Sequence, residues 1–449
     1  MSEELILNEI EDNEEEYIEF LRKLVQTDSY NPPGNEKNVA LEIEKYLKSV
    51  DIKSEIFSFG ENRANLIATL NDNFDGKNLL YNGHMDVVPP GALDEWKYPP
   101  LSAIIKRKKI FGRGTADMKA GLAAMVISLK ILKKLGFKIV GNLIVNAVAD
   151  EETGGKLGTG WCMDNELKSK RIDFSVIGEP TKLNPLPYAI ILGEKGRVAV
   201  RIITNGVSGH ASLPSLGVNA IYMMNDIIYN LDKLDEYIPK IKPPLTVNEL
   251  EELVSAVFTS KELFQKLLNE QPILQEAIKA NTQFTKIVTL INGGIKDNVI
   301  PDHCESLIDF RLLPGQTSDM ILDGLKDLIK DLGYQIKNEP KGQPEEVFVY
   351  LDVKWKGEAS YWEEWRNSSI LNKFYDIVEK VYKKKPFYFL MPASSDAKYY
   401  RNSKFCQPTI LFGPGKSRSA HTTNEYIDLP EFINAIKVYT LFAYNYLNE

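Results

Sequence analysis

The chain has 449 residues, of which 43% are hydrophobic and 26% charged, so it is long enough for more than one hydrophobic core. A net charge of −8 without a basic stripe argues against nucleic acid as a partner. No apolar run reaches the ~18 residues of a membrane-spanning helix. The acidic amino terminus lacks a signal-peptide pattern, and the cysteines are few and scattered, so we expect a cytoplasmic protein with free thiols.

The first part of the chain alternates predicted helices with short apolar strands. Two amphipathic helices are predicted over residues 8–50, separated by Pro32-Pro33-Gly34. A long helix is predicted at MKAGLAAMVISLKILKKLG, and strands at NLIATL, NLLYNGHMDVV, NLIVNAVAD and FSVIGE. Buried strands that alternate with helices favour an α/β fold with a mostly parallel central sheet, in which catalytic side chains collect at the carboxyl ends of strands.

The pattern changes after about residue 190. A half-exposed strand or hairpin is predicted at ILGEKGRVAVRIITNG, further strands at KIVTLINGG and CESLIDFRLLPG, and helices at SLGVNAIYMMNDIIYNLDKL and QTSDMILDGLKDLIKDLG. Helices on one face of a small, mostly antiparallel sheet form an α+β unit, which we interpret as a domain inserted in the first. We therefore expect a catalytic domain formed by residues 1–189 and 361–449, and an inserted domain over 190–360 with a helical excursion at about 236–285.

Histidine and carboxylate side chains, which can bind metal ions, follow the predicted strands and form the most informative pattern in the chain. Imidazoles and carboxylates are ligands that zinc, cobalt and manganese accept. Two histidines and three single carboxylates suit two ions about 3.5–4 Å apart with one carboxylate as a bridge. The sequence therefore predicts a hydrolase with two divalent ions, zinc first and cobalt or manganese as alternatives, held among His84, Asp117, Glu151, Glu152, Glu179 and His421.

Two of these segments contain pairs of polar residues that must differ in role. Asp86 follows His84 by two positions in an extended segment, so both side chains point the same way. A carboxylate beside a metal-binding imidazole fixes the ring's tautomer, so we interpret Asp86 as a partner of the ring, with a surface turn as the alternative. Of the adjacent Glu151 and Glu152, one can bind metal while the other takes a proton from the attacking water. A charged helix start is the alternative for this pair.

Taken together, the motifs resemble a known family. HMDVVPPG, GRGTADMKAG, ADEETGG, IGEPT, SGHAS and a late histidine are similar in order and content to the M20 metallopeptidase family, over roughly residues 15–445. The resemblance implies a dinuclear catalytic domain, an inserted lid or dimerisation domain, and a cis peptide between Asp117 and Met118. It also implies a role for each side chain. Asp117 would bridge the two ions, and Glu151 would be the base. His84 and Glu179 would complete one metal site, and Glu152 and His421 the other.

The resemblance extends to residues of the inserted domain. His210 in SGHAS matches a family histidine that can stabilise the oxyanion, and in dimeric members it reaches the site of the other subunit, so we expect a homodimer. Asn298 and Arg311 match positions that hold a substrate carboxylate, a task suited to the planar guanidinium. The backbone N–H groups of Gly413 and Gly415 in FGPG resemble further donors to that carboxylate.

We therefore expect a dinuclear metal-dependent hydrolase that cleaves the amide bond of a small N-acyl amino acid bearing a free carboxylate. The leading types are acetylornithine deacetylase and succinyl-diaminopimelate desuccinylase. A dipeptidase or carboxypeptidase is the alternative, because it would share the ligand set and because the excursion at 236–285 could frame a larger substrate. A non-catalytic binding module on the same scaffold would show gaps in the ligand set or lack Glu151, and neither is seen.

Overall fold

A computed structural model describes residues 2–71, 76–258, 260–340 and 345–448 of the chain. None of the helices in these ranges combines the length and apolar character needed to cross a membrane. The α-helices of these ranges are, in chain order, α1 (Ser2–Asp12), α2 (Glu14–Gln26), α3 (Glu36–Lys48), α4 (Lys119–Lys134), α5 (Trp161–Asp164), α6 (Ala220–Tyr229), α7 (Val247–Ser255), α8 (Lys261–Glu270), α9 (Pro272–Ala280), α10 (Ser318–Asp331), α11 (Ser369–Tyr382), α12 (Ala397–Asn402) and α13 (Leu429–Leu447).

The strands of the same ranges belong to two large sheets and two small ones. In chain order they are β1 (Lys53–Phe59), β2 (Arg63–Thr69), β3 (Asn78–His84), β4 (Ile104–Lys106), β5 (Lys109–Phe111), β6 (Asn142–Val148), β7 (Phe174–Ile177), β8 (Ala189–Glu194), β9 (Gly196–Asn205), β10 (Gly209–His210), β11 (Thr285–Gly293), β12 (Val299–Ile300), β13 (His303–Leu312), β14 (Ile336–Lys337), β15 (Phe348–Gly357), β16 (Ser360–Tyr361), β17 (Phe387–Met391), β18 (Thr409–Leu411) and β19 (Tyr426–Asp428).

The largest sheet has the order β1-β2-β6-β3-β7-β18-β8-β16, and β17 also pairs with β8. Its centre, β6-β3-β7-β18, is parallel, whereas β1, β2 and β16 pair antiparallel at the edges. Strands β3, β6 and β7 are buried along their whole length, which explains why they read as continuous apolar runs. The predicted α/β fold with a parallel sheet centre is confirmed.

Helix α4 packs closely against the large sheet where β7 ends. Almost all of its side chains are buried, so it packs on all sides, against α13 and α2 as well as the sheet. Gly121 allows this close approach, because a Cβ atom there would lie 2.1 Å from the carbonyl oxygen of Gly178. The start of α4 is thereby held directly against the backbone that leads from β7 to Glu179.

The second large sheet has the order β11-β13-β9-β15-β14 and is antiparallel except for the β14–β15 pair. Its buried face packs against α6 and α10. The Thr317 side chain caps α10 by accepting the Met320 N–H at 3.2 Å, and the chain leaves this helix through Gly333, whose φ is +88°. This unit, the lid, has the α+β architecture expected from its sequence.

The helical excursion α7–α9 starts and ends at the lid but packs elsewhere. Its buried side chains Leu250, Val254, Phe264 and Ile278 belong to the hydrophobic core of the large sheet and not to that of the lid. Where the excursion returns, the buried Lys195 between β8 and β9 donates to the carbonyls of Ala280 at 2.8 Å and Gln283 at 2.6 Å. The excursion therefore connects the lid to the core of the large sheet.

Candidate active site

Three parallel strands deliver the first ligands to one edge of the sheet. His84 ends β3 opposite Val148, the last residue of β6, and the Glu151-Glu152 turn follows directly. Glu179 comes two residues after the end of the neighbouring β7. Because parallel strands end at the same edge, these side chains lie close together, as the sequence predicted.

Asp117 lies between the two histidines. Its Oδ1 is 3.1 Å from Nε2 of His84, and its Oδ2 is 3.2 Å from Nε2 of His421. The Asp117–Met118 peptide is cis, as the family resemblance implied. Each carboxylate oxygen of Asp117 thus faces a different imidazole, which is the geometry that a bridging ligand requires.

The other carboxylates surround the two histidines. Glu179 Oε1 lies 3.7 Å from His84 Nε2, and Glu152 Oε2 lies 3.1 Å from His421 Nε2. The ligand atoms of His84, Glu151 and Glu179 all lie within 4.8 Å of one another, and so do those of His84, Asp117 and Glu152. His84 therefore belongs to two overlapping groups, and the Asp117 and Glu152 carboxylates connect them to His421.

The electrostatics of the site indicate that cations belong in it. Burial raises the pKa of Glu179 and of Glu151 well above the ordinary value, and nearby carboxylates raise both further. Burial also acts to raise the pKa of Asp117, but its hydrogen bonds with His421 and His84 outweigh burial and lower it. Hydrogen bonds with Asp117 and Glu152 raise the pKa of His421 to about 11. Four carboxylates and two imidazoles so close together fit two divalent cations, whose charge matches that of the carboxylates.

Asp86 is buried, and its contacts differ from those expected. His84 Nδ1 lies 2.8 Å from the backbone carbonyl oxygen of Asp86 and 3.6 Å from Oδ1 of the Asp86 carboxylate, so the carbonyl is its hydrogen-bond partner. The carboxylate instead accepts the N–H groups of Glu151 at 3.2 Å and Glu152 at 3.1 Å. The carbonyl therefore orients the His84 ring with Nε2 toward Asp117, and the carboxylate holds the glutamate turn.

Asn31 is a site residue that the sequence did not reveal. Its Nδ2 donates to Asp86 Oδ2 at 2.8 Å and to Thr153 Oγ1 at 3.1 Å. It therefore supports both Asp86 and the end of the turn that carries Glu151. No sequence signal distinguished Asn31 from the turn residues that follow it, because Asn before Pro-Pro-Gly is also typical of an ordinary turn.

The predicted lid residues lie apart from this cluster. His210 and Asn298 are exposed and adjacent, since β10 pairs with β12 and the N–H of Ala211 donates to the Asn298 carbonyl at 3.0 Å. His210 Nδ1 contacts Ser212 Oγ at 2.7 Å. Among the residues that the structure describes, no hydrogen bond joins His210 or Asn298 to the metal-type side chains. Arg311 Nε donates to Asp309 Oδ1 at 2.7 Å on the same domain.

Gly413 and Gly415 follow β18 and pass close to the ligand-bearing backbone. A Cβ atom at Gly413 would lie 2.1 Å from the Gly178 carbonyl oxygen, and its N–H lies 3.4 Å from Thr181 Oγ1. Gly415 has a φ of +102°, and a Cβ atom there would lie 3.3 Å from Ala116. Gly413 is therefore needed for close packing next to Glu179, and Gly415 for a left-handed backbone conformation next to Ala116.

A parallel sheet centre and a cluster of imidazoles and carboxylates at its carboxyl edge are the features of a metal-dependent hydrolase. Residues 80–445 match the model of peptidase family M20/M25/M40, and the chain belongs to this family. The resemblance seen in the motifs is confirmed.

Similar proteins include both deacylases and peptidases. A probable succinyl-diaminopimelate desuccinylase of Staphylococcus aureus strain MSSA476 is 28% identical over 444 residues, which cover 97% of this chain and 99% of that protein. The M20 family metallo-carboxypeptidase Sso-CP2 of Sulfolobus solfataricus has a TM-score of 0.74 at 21% identity, covering 96% of this chain and 99% of that one. The dipeptidase Dug1p of Saccharomyces cerevisiae has a TM-score of 0.74 at 16% identity, with 100% of both chains covered.

Proposed function

We propose that the protein is a dinuclear metal-dependent hydrolase that cleaves the amide bond of an N-acyl amino acid bearing a free carboxylate. The observation that carries this proposal is the position of Asp117, which presents one oxygen to each of two imidazoles. Glu151 lies beside the same cluster, and its carboxylate has no hydrogen bond to either imidazole within the described part of the chain. One carboxylate is thus placed to bridge, and another is free to accept a proton.

In this proposal His84 and Glu179 would hold one ion, Glu152 and His421 would hold the other, and Asp117 would contribute to both. Zinc is the first candidate, because nitrogen and oxygen donors suit it, and cobalt and manganese are alternatives. When bound, the ions supply Lewis-acid polarisation of the scissile carbonyl and of water.

Glu151 is the proposed general base. The Asp86 carboxylate accepts its backbone N–H and so fixes the turn that presents the side chain. Burial raises the pKa of Glu151 well above its ordinary value, and bound cations would lower it again toward the working pH. Glu151 takes a proton from the attacking water and then donates it to the nitrogen of the leaving amine.

The lid is proposed to bind the substrate and complete the site. His210 would donate a hydrogen bond to the carbonyl oxygen as negative charge develops there. Asn298, Arg311 and the backbone N–H groups of Gly413 and Gly415 would hold the free carboxylate of the substrate. Because His210 lies on a separate domain, the site is complete only when a lid closes over it or when a second subunit supplies one.

A homodimer formed through the lid is part of the proposal. Strand β11 lies at the edge of the lid sheet, and Ile287, Leu290 and Ile291 on it are 62%, 63% and 59% exposed. Tyr222 and Tyr229 on α6 are exposed as well, at 74% and 83%. An exposed, apolar edge strand is a template for pairing with another chain, and it supports a second copy as that chain. The cytoplasm is the proposed location, supported by three buried free thiols.

The desuccinylase relatives support a deacylase, and a dipeptidase is the second candidate. The dipeptidase is supported by the activity named for the yeast protein of similar fold. It is also supported by the helical excursion, which packs on the core of the large sheet beside the lid and could frame a larger substrate. Both reactions use the same ligands and base, so the ligand set alone does not separate them.

The test is a substrate panel on protein that has been stripped by chelator and reconstituted with zinc, cobalt or manganese. Release of free amine is measured from N-acetyl and N-succinyl amino acids, from dipeptides, and from the matching N-acyl amino acid amides, which lack the carboxylate. We expect hydrolysis of the N-acyl amino acids only after metal is restored, and little from the amides. Hydrolysis of dipeptides alone would establish the second candidate, and hydrolysis of neither class would contradict the proposal.

A further inference from the structure

Glu425 is a buried carboxylate just after the loop of His421, and both of its oxygens are fully used. Its Oε2 accepts from Arg113 Nη1 at 2.8 Å and from the N–H of Gly114 at 3.1 Å. Its Oε1 accepts from the N–H groups of Ala116 at 2.7 Å and Asp117 at 3.1 Å. One side chain with no exposed surface therefore holds the whole segment that leads to Asp117.

Arg113, which is 2% exposed, also connects the segment before Asp117 to the loop of His421. Its guanidinium donates to the carbonyl of Thr422 at 3.1 Å and to that of His421 at 3.5 Å. The N–H of Gly112 also donates to the Glu425 carbonyl at 3.0 Å, continuing the antiparallel pairing of β5 with β19. Segments 112–117 and 421–425, which are far apart in the sequence, are thus fixed to each other.

We propose that Glu425 and Arg113 form a clamp that sets the distance between Asp117 and His421. They are positioning residues for the ion assigned to Glu152 and His421, so the inference rests on the proposed function. His421 needs such support because its side chain is 52% exposed and comes from a loop rather than from a strand end. His84 and Glu179 are buried at strand ends, so the ion they hold depends less on the clamp.

Two substitutions separate the parts of the clamp. Arg113→Lys keeps a cation near Glu425 but loses the planar fork that reaches the carbonyls of residues 421 and 422. Glu425→Gln replaces one oxygen with an NH2 group, which faces two donors in either orientation of the amide. The matched control is Glu431→Gln. Glu431 is likewise buried and paired with a cation, Lys182, but among the described residues its side chain has no hydrogen bond to either segment.

The experiment titrates each apoprotein with Zn2+ and measures bound equivalents and affinities by calorimetry and metal analysis, with circular dichroism and thermal melting as checks of folding. We expect two equivalents for the wild type and for Glu431→Gln. For Arg113→Lys we expect one equivalent of ordinary affinity and a second weakened about 10–100-fold, the usual effect of losing a partner that orients a ligand. Glu425→Gln should lose at least as much, because it also releases Asp117.

Folded Arg113→Lys and Glu425→Gln proteins that bind both ions with wild-type affinity would overturn the clamp and leave the proposed function intact. An equal loss in Glu431→Gln would also overturn it, because the effect would then belong to any buried charge pair. If Glu425→Gln does not fold, Arg113→Lys decides the question. A wild type that binds fewer than two ions would instead contradict the proposed function, and the clamp would fall with it.

Discussion

Replacing Glu151 by glutamine separates catalysis from metal binding. The amide keeps the shape of the side chain but cannot accept the proton of the attacking water. Loss of a general base costs about 10²–10⁴-fold in rate, which corresponds to about 3–5.5 kcal/mol of activation free energy. Both ions should remain, because Glu151 is not one of the proposed ligands: Glu152 contacts His421 at 3.1 Å, and Glu179 lies 3.7 Å from His84.

The structure gives this substitution a second expected effect. Burial disfavours the charge of Glu151 most, and the Asp396 and Glu152 carboxylates add repulsion to it, whereas His84 and Lys398 attract the charge without outweighing burial and repulsion together. Removing one titratable carboxyl relieves this repulsion, so the metal-free Glu151→Gln protein should unfold at a higher temperature than the metal-free wild type. A buried, repelled charge is costly in the absence of a cation.

The assay combines steady-state kinetics on reconstituted protein with metal analysis after dialysis, and Glu152→Gln is the matched control. Glu151→Gln should retain two ions and lose most of its kcat, whereas Glu152→Gln should lose the ion on the His421 side. The assignment of roles would be refuted if Glu151→Gln lost metal in proportion to activity while Glu152→Gln retained both ions.

Three further predictions concern the bridge, the lid connection and the subunit arrangement. Asp117→Ala should reduce the content of both ions more than removal of either histidine does, and metal analysis showing one ion retained at full affinity would contradict this. Burial lowers the pKa of Lys195 to about 8 in the folded protein, so above that pH the unfolded chain binds more protons than the folded chain. The unfolding free energy of the wild type should therefore rise with pH. Between pH 8 and 9.5, measured by urea denaturation, this contribution is at most about 1.5 kcal/mol and should be absent in Lys195→Met; an equal dependence of unfolding free energy on pH in the two proteins would refute it. If His210 acts across subunits, mixing inactive His210→Ala and Glu151→Gln proteins under subunit exchange should restore some activity, and a fully active monomer would rule the arrangement out.

The sequence was sufficient for the features that follow from periodicity. Parallel strands end at one edge of a sheet, so the positions of His84, Glu151 and Glu179 after apolar runs predicted their proximity. The lid could be predicted in the same way, because alternating strands and periodic helices specify an α+β unit. Motif order then identified the family, which residues 80–445 confirm.

Contacts that depend on backbone geometry and loop folding were beyond the sequence. Spacing could place Asp86 beside His84 but could not show that its carbonyl would take the ring and its carboxylate the glutamate turn. Asn31 and Glu425 reach the site through segments distant in sequence, and neither has a periodic signal. The amphipathic helices α7–α9 were predicted to exist, but an apolar face does not tell which of two cores will bury it.

Asp117 is proposed to bridge two metal ions, and an anomalous difference map from crystals grown with Zn2+ shows such an arrangement without reference to activity. A bridging role predicts two peaks about 3.5–4 Å apart. Each peak should lie about 2.0–2.2 Å from a different oxygen of Asp117, one also bound by His84 and the other by His421. A single peak, or two peaks of which only one contacts Asp117, would contradict it.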